Sequence, residues 1–442
     1  MEPNNRDHHQ LRVIAVDLTP VLSGGENGGA KVFVLELLRR LAELAPQTQF
    51  VLLTQASAHE ELASLDRPNV RRLMILGQAT PNNERPRAEL VLFRLFRHLP
   101  VRWQSVVGRV GHRILSASKR SESANLLRSI NADLLFCPFT APTYSEPTTP
   151  TVSVIYDLQY KAYPEFFTPE DVIERGRTFV EACKRSAMLT AISDFSRREA
   201  IEQGGLNPAR IRTIHLQISK DRLRNAEKDE RVVDRLELIR GKYLVYPANF
   251  WKHKNHEMLL TAFGIARNTG LPNHLKLVCT GALGERQQWL QQASEAMDLS
   301  RSVLFPGYLS NAELLGLLTN CAGVIFPSLY EGFGLPVIEA MAIGVPVACS
   351  NVTSLPEVAQ DAAIMFDPRI PEQIADAMIS LVQDRELRAR LVEAGTLRAA
   401  KLSDSRVMAN EYWSVFQQAA GIQTNVHADG DQEALFPEKL PA

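Results

Sequence analysis

The sequence lacks any apolar run approaching the ~18 residues that a membrane span needs. Its polar start, Met1-Glu-Pro-Asn-Asn-Arg-Asp, carries no secretory hydrophobic segment, so a cytoplasmic location is expected, with docking on the inner membrane face as the variant of it. Cysteine is scarce: Cys137, Cys183, Cys279, Cys321 and Cys349 are scattered, without C-x-x-C spacing, and read as buried thiols of a reducing compartment. Charge is nearly balanced at −1, which argues against a general nucleic-acid binder. His253 and His256 stand three apart with no third ligand close by, so no metal site is expected there.

What the chain has is length and alternation. Its 442 residues, 45% of them hydrophobic, suffice for two α/β domains with separate cores. Short β-branched runs alternate with helical patterns in both halves, which predicts two doubly wound parallel sheets facing across a cleft, with ligands at the carboxyl ends of the strands. The domains are expected over 1–225 and 241–403, with a charged linker over 220–240. A last helix, 404–420, is expected to cross back to the first domain, followed by a disordered tail, 421–442.

The most informative stretch runs from Phe326 to Pro346 and reads as strand, loop, helix, strand. Pro336 suits a first helical turn, where its missing N–H costs nothing, and Gly344 suits a left-handed stop. Gly332 and Gly334 uncover backbone N–H groups ahead of a helix N-terminus, an arrangement that favours anions. Glu331 precedes the glycines, and Glu339 leans back toward them from about one turn into the helix. Carboxylates beside an anion site suit a sugar linked to a nucleoside diphosphate, since one carboxylate accepts from two neighbouring hydroxyls. A tight βα turn with Glu339 supporting the helix dipole would use the same residues.

Two further loops follow strands. Thr19 to Ala30 carries the pairs Gly24-Gly25 and Gly28-Gly29, which permit close approach of a ligand or simple flexibility; Lys31 follows, ahead of a helix with Val32, Leu35, Leu38 and Leu41 on one stripe. In the second half, Pro247-Ala-Asn249-Phe-Trp-Lys252-His-Lys254-Asn255 precedes a helix that Asn255 is expected to cap. Lys252 and Lys254 could meet a diphosphate there, or belong to a solvated loop. Residues 85–128 hold ten Arg or Lys against Glu89 and Glu122, interleaved with aromatic and aliphatic residues. That composition fits an anionic membrane surface or a pair of surface helices with a charged outer face.

Glu331-Gly-Phe-Gly-Leu-Pro-x-x-Glu339 closely resembles the E-x7-E signature of glycosyltransferase family four, retaining enzymes of the GT-B fold. The resemblance implies that Glu331 sits at the transferred sugar and Glu339 at the ribose, with Phe333, Gly334 and Leu335 lining the donor. It implies that Lys254 meets the diphosphate and that Gly28 and Gly29 face it; Lys252 would supply a second charge where the family has an earlier Arg and this chain has Ala248 and Asn249. Tyr156-Asp157, ahead of Pro164-Glu-Phe-Phe167, resembles the family's His-Asp segment. Tyr156 stands where His is usual, so Asp157 is carried over as catalytic, while Tyr156 and Asn249 are carried over as lining. Ala191-Ile-Ser-Asp-Phe-Ser-Arg-Arg198 and Asn351-Val-Thr-Ser-Leu-Pro-Glu357 resemble further family segments.

The implied activity is transfer of a hexose from a nucleotide sugar to a glycan or lipid-linked glycan, without metal. The sole D-x-D, Asp429-Gly-Asp431, lies in the tail and argues against metal-chelating GT-A chemistry. Asn249-Phe-Trp-Lys-His-Lys-Asn-His256 resembles bacterial polysaccharide mannosyltransferases, and that likeness favours GDP-mannose over UDP- or ADP-sugars. Two other roles fit a GT-B chain: a non-catalytic scaffold subunit, and a phosphorylase or epimerase.

Overall fold

The computed structural model describes residues 11–22, 28–76, 126–218 and 226–422. The basic stretch up to residue 125, Gly24 and Gly25, and the tail from 423 lie outside them. Among these residues seven strands make the first sheet: β1 (Val13–Asp17), β2 (Gln49–Gln55), β3 (Val70–Leu76), β4 (Leu134–Cys137), β5 (Thr151–Ile155), β6 (Met188–Ala191) and β7 (Ile211–Thr213). They are parallel throughout, in the order β3-β2-β1-β4-β5-β6-β7. Six strands make the second: β8 (Tyr243–Pro247), β9 (Lys276–Thr280), β10 (Val303–Gly307), β11 (Gly323–Phe326), β12 (Val347–Ser350) and β13 (Ala363–Phe366). Their order is β10-β9-β8-β11-β12-β13, again all parallel.

In each sheet the order reverses beside its first strand, at β1/β4 and at β8/β11. Loops at such a reversal run in opposite directions and leave a crevice at the carboxyl ends of the strands. The loops after β1, β8 and β11, singled out by their glycines and lysines, all start there. Strand burial fits doubly covered sheets, since β4, β5, β6, β11 and β12 are buried at every residue.

Several helix boundaries follow local chemistry. Thr168 and Ser193 accept from backbone amides three residues on, and Ser310 with Glu313 forms a complete capping box. Others differ from expectation. The helix Gly28–Leu44 buries Phe33, Val34, Leu37, Leu38 and Leu41, whereas Val32 is 44% exposed. Steps of three residues fall about 60° short of a turn each time, so a stripe of such steps cannot stay on one face. Asn255 occupies the N-cap position of the helix His256–Thr269 without capping it. Its backbone is left-handed, and its amide donates to the Pro327 and Pro368 carbonyls, tying three loops together. Pro371–Gln383 and Arg385–Lys401 are separate helices, because the Asp384 carboxylate accepts from Leu387 N and starts a new one.

The charged segment 220–240 is only partly a linker. Arg231–Arg235 is helical with Val232 and Val233 buried, and Asp229 N donates to the Ala312 carbonyl. Gly316 makes room for this strap: a Cβ there would stand 2.3 Å from the Asp229 oxygen. The helix Ser405–Ala419 seats on the first domain, where Tyr412 packs against Phe33 and Phe136, and Arg40 donates to Ser405. No helix among the described residues is long and apolar enough to cross a membrane.

The two domains touch at the loop after β11. Ser196 Oγ, from the helix Asp194–Gly204, donates to the Tyr156 and Gly332 carbonyls, and Leu158 N donates to Tyr330 Oη. Gly332 is pressed so close that a Cβ would lie 2.5 Å from the Tyr156 oxygen, a backbone atom that cannot swing aside. Gly332→Ala is therefore expected to fold with both sheets intact while the domains move apart, at a cost of about 1–3 kcal/mol. Small-angle scattering should report a larger radius of gyration at unchanged circular dichroism; an unchanged radius would contradict the contact.

Candidate functional site

The site grows from the loop between β11 and the helix Leu335–Ala342. Gly334 has φ +106°, and a Cβ there would meet Leu355 Cδ2 at 2.6 Å, so both conformation and space require glycine. Pro336 occupies the first turn, and Gly344, at φ +76°, follows the last. The loop is fixed from the side. Glu331 N donates to Thr353 Oγ1 (3.1 Å), and Ser354 Oγ donates to the Glu331 and Phe333 carbonyls (2.9 and 3.0 Å). Thr353 has φ +59°, an uncommon conformation for a β-branched residue, held by these contacts. Glu339 is half-buried near the start of the helix.

Glu331 and Lys254 meet. Lys254 Nζ donates to Glu331 Oε1 at 2.6 Å and lies 5.3 Å from the centre of the Phe326 ring; the two side chains are only 11% and 12% exposed. Lys254 comes from the 3-10 turn Lys252–Lys254, fixed by Tyr246, whose hydroxyl donates to the Lys254 carbonyl and lies 3.1 Å from Ser328 Oγ. Removing one partner from so buried a pair strands the other charge, at about 3–5 kcal/mol. Asp157 completes the group from the first domain. Burial raises its carboxyl above the ordinary range, with Glu331 adding to this, while its amide bond from Gln159 and the charges of Arg175 and Lys254 pull it down.

Gly29 also reaches this place, since a Cβ there would lie 3.2 Å from Leu335 Cδ1. Gly28 is left-handed at φ +52° and faces open space. Other candidates are engaged elsewhere. Lys31 is buried against Glu61 (2.6 Å) and the Leu22 carbonyl. The Tyr156 hydroxyl donates to the Pro138 carbonyl at 2.8 Å, inside the first domain, and its ring packs edge-on against Phe33. Asn249 accepts from Ala282 N, and Lys252 is exposed. Phe333 turns its ring toward His215, leaving its backbone to the loop.

Two of the quoted segments, 191–198 and 351–357, meet across the cleft, a long-range contact with no local signal in the sequence. Glu357 accepts from Asp194 N (2.7 Å) and Phe195 N (3.0 Å), at the start of the helix Asp194–Gly204, and contacts His215 Nε2 at 2.6 Å. Ligand atoms of Asp194, His215 and Glu357 lie within 4.8 Å of one another, a spacing that could hold a metal ion. In this arrangement they already bond amides, the Thr213 hydroxyl and each other. A shallow concavity of about 540 Å³ around Arg197, Arg212 and Gln418 shares only Asp194 and Arg197 with the segments quoted from the sequence.

His256 is a core residue. Its ring packs on Tyr246 and Phe250, both ring nitrogens lack a partner among the described residues, and burial pushes its pKa down to about 3. A histidine depressed in the fold from its ordinary 6.5 stabilises fully above that pH and loses the contribution as pH falls toward 3. Wild-type stability should therefore fall with a slope of about 1.4 kcal/mol per pH unit from this residue alone. His256→Phe is expected to remove that slope in urea unfolding between pH 6 and 4.5; equal slopes would contradict the assignment.

Residues 234–398 match the family described as Glycosyl transferases group 1. The chain is 30% identical over 257 residues to O-antigen chain mannosyltransferase B of Escherichia coli, covering 57% of this chain and 66% of that one. It is 28% identical over 224 residues to the serotype-specific mannosyltransferase WbdA of Escherichia coli, covering 50% of this chain and 27% of the relative. The chain thus matches less than two thirds of the length of these relatives. Its fold is similar to that of Anabaena Alr3699/HepE, solved in complex with UDP and glucose, with a TM-score of 0.65 at 14% identity over 92% of this chain and 100% of that one. The protein has the GT-B fold, and its second domain is similar to the group 1 glycosyl transferases.

Proposed function

We propose that the protein is a retaining hexosyltransferase of glycosyltransferase family four, which moves mannose from GDP-mannose to a hydroxyl of a glycan or lipid-linked glycan. The observation that carries this reading is the buried Lys254–Glu331 pair at the foot of a glycine loop, facing Asp157 across the cleft. A diphosphate arriving at Gly334 and Leu335 finds backbone amides, a helix N-terminus and the Lys254 ammonium. Once Lys254 turns to the phosphates, Glu331 faces the sugar, where its charge stabilises an oxocarbenium-like transition state. Glu339 takes the ribose, and Gly28 and Gly29 leave room above the phosphates.

The bond from the anomeric carbon to the diphosphate oxygen breaks, and the acceptor oxygen bonds the same carbon. The acceptor proton passes to the departing phosphate, so no side-chain base is required, and Tyr156 with its proton donated to Pro138 is compatible with turnover. The relatives that act on mannose, and the neighbour solved with UDP and glucose, support a nucleotide-sugar donor and a glycan acceptor. The same Tyr156 bond also fits a scaffold subunit that binds a nucleotide sugar without turning it over.

A thermal-shift screen should single out GDP-mannose among GDP-, UDP- and ADP-sugars. Glu331→Ala and Lys254→Ala are each expected to lower kcat/KM for mannose transfer by about 100-fold or more. Proton NMR of the product should show the donor's anomeric configuration kept. Full transfer by Glu331→Ala would overturn the catalytic reading and leave the scaffold.

A further inference from the structure

We infer that His215 is a positioning residue for the transfer: standing on the first domain, it holds the Glu357 carboxylate of the second and so fixes the loop that carries Glu331. The inference rests on the transferase reading above.

The Glu357 carboxylate finds its partners outside its own domain. The helix Asp194–Gly204 begins with amides that need acceptors. Ser193 Oγ takes the third of them, Ser196 N, at 3.0 Å, and Glu357 takes the first two, Asp194 N and Phe195 N. His215 Nε2, at 2.6 Å, is the donor of a further bond, since a carboxylate only accepts. The two side chains are 16% and 12% exposed, so the bond is largely shielded from water and strengthened by that shielding. A metal ion in the same place would face the positive end of a helix, which disfavours it.

Glu357 is not a free arm. It belongs to the short helix Leu355–Ala359, where Val358 N donates to the Ser354 carbonyl and the buried Arg398 donates to the Glu357 and Val358 carbonyls (3.0 and 2.8 Å). Three residues before Glu357, Ser354 Oγ donates to the Glu331 and Phe333 carbonyls, and one residue earlier Thr353 Oγ1 accepts from Glu331 N. Leu355 lies against the same loop at Gly334. A displaced carboxylate therefore turns a stiff piece whose other end grips the backbone of Glu331. His215 meets both ends of that piece, with Nε2 on Glu357 and its ring centre 6.0 Å from that of Phe333.

Two neighbouring amides of one helix leave a carboxylate free to pivot about the helix end. A donor from a separate segment, the one following β7, removes the pivot. The consequence for chemistry is large, because a shift of about 1 Å at a reacting group costs about 100-fold in rate. GDP lacks the sugar that Glu331 faces in the proposed reaction, so its affinity reports binding without that positioning.

The test follows release of GDP from GDP-mannose by the full chain with methyl α-mannoside present, beside calorimetric titration with GDP. His215→Phe keeps a ring against Phe333 and removes the donor. It should lower kcat about tenfold, the size of one hydrogen bond to a charged group, while the Kd for GDP moves by less than about twofold. His215→Gln, which returns an N–H donor, should recover kcat to within about threefold of the wild type. A loss of packing alone would lower kcat and GDP binding together and would not be rescued by Gln. In Ser354→Ala, where the tether to Glu331 is cut, adding His215→Phe should cost less than about twofold more. An unchanged kcat in His215→Phe overturns the assignment. So does a full tenfold loss on top of Ser354→Ala, because the effect then bypasses the tether. Should His215→Phe fail to fold, Glu357→Gln decides on the same readings. If the wild type releases no GDP, the transferase reading fails first and takes this inference with it.

Discussion

Lys254 and Glu331 hold two opposite charges 2.6 Å apart in a place where water barely reaches either. Charges are costly to bury, and their mutual attraction offsets that cost only while each keeps a partner. Neither side chain stands in a rigid cage of its own. The lysine extends from a single 3-10 turn and the glutamate from a glycine loop, and both are steered by neighbours that bond their backbones: Tyr246 for one, Thr353 and Ser354 for the other. Such a pair can be exchanged without refolding anything. In the function proposed above, an incoming diphosphate would offer the ammonium a doubly charged partner, and the hydroxyls of the sugar behind it would offer the carboxylate new donors.

The fold brings this pair to the seam between its two domains. Both sheets reverse their strand order beside their first strand, which puts β1, β8 and β11 with their loops at one crevice. The domains then close on the loop itself. Gly332 abuts the Tyr156 carbonyl, Tyr330 takes the Leu158 amide, and Glu357 caps the helix Asp194–Gly204 from the opposite domain. Arg369 adds a bond to the Tyr163 hydroxyl farther along the same seam. Closure excludes water from the charged pair, and exclusion of water strengthens every charge interaction within.

How much of this could be read from the residues alone depends on the range of the chemistry. The Gly332 to Gly344 stretch was legible, because glycine and proline state the backbone they permit and the turn and helix follow within a few residues. The strands were legible as short apolar runs, often β-branched, between turn signals, except Ala363–Phe366, which has only one β-branched residue. What could not be read was which long-range partner a polar side chain would choose. Lys31 selects Glu61, thirty residues on, and Glu357 selects amides 162 and 163 residues back. Asn255 looked like a cap by position and became a bridge between loops, since its left-handed backbone turns the side chain away from the helix amides. The substitution of Tyr at 156 was visible as a departure, but only the packing shows that its proton goes to Pro138. The two buried valines at 232 and 233 were the signal, within a charged segment, that the strap belongs to the second domain.

The most direct measurement is a crystal structure of the protein with GDP-mannose, or an unreactive fluorinated analogue, in the cleft. Lys254 Nζ should then stand about 2.7–2.9 Å from a phosphate oxygen and beyond hydrogen-bond reach of Glu331, with the Glu331 carboxylate on a hydroxyl of the hexose. A complex in which the Lys254–Glu331 contact persists and the nucleotide sugar lies away from the loop after β11 would contradict the exchange on which this function is built.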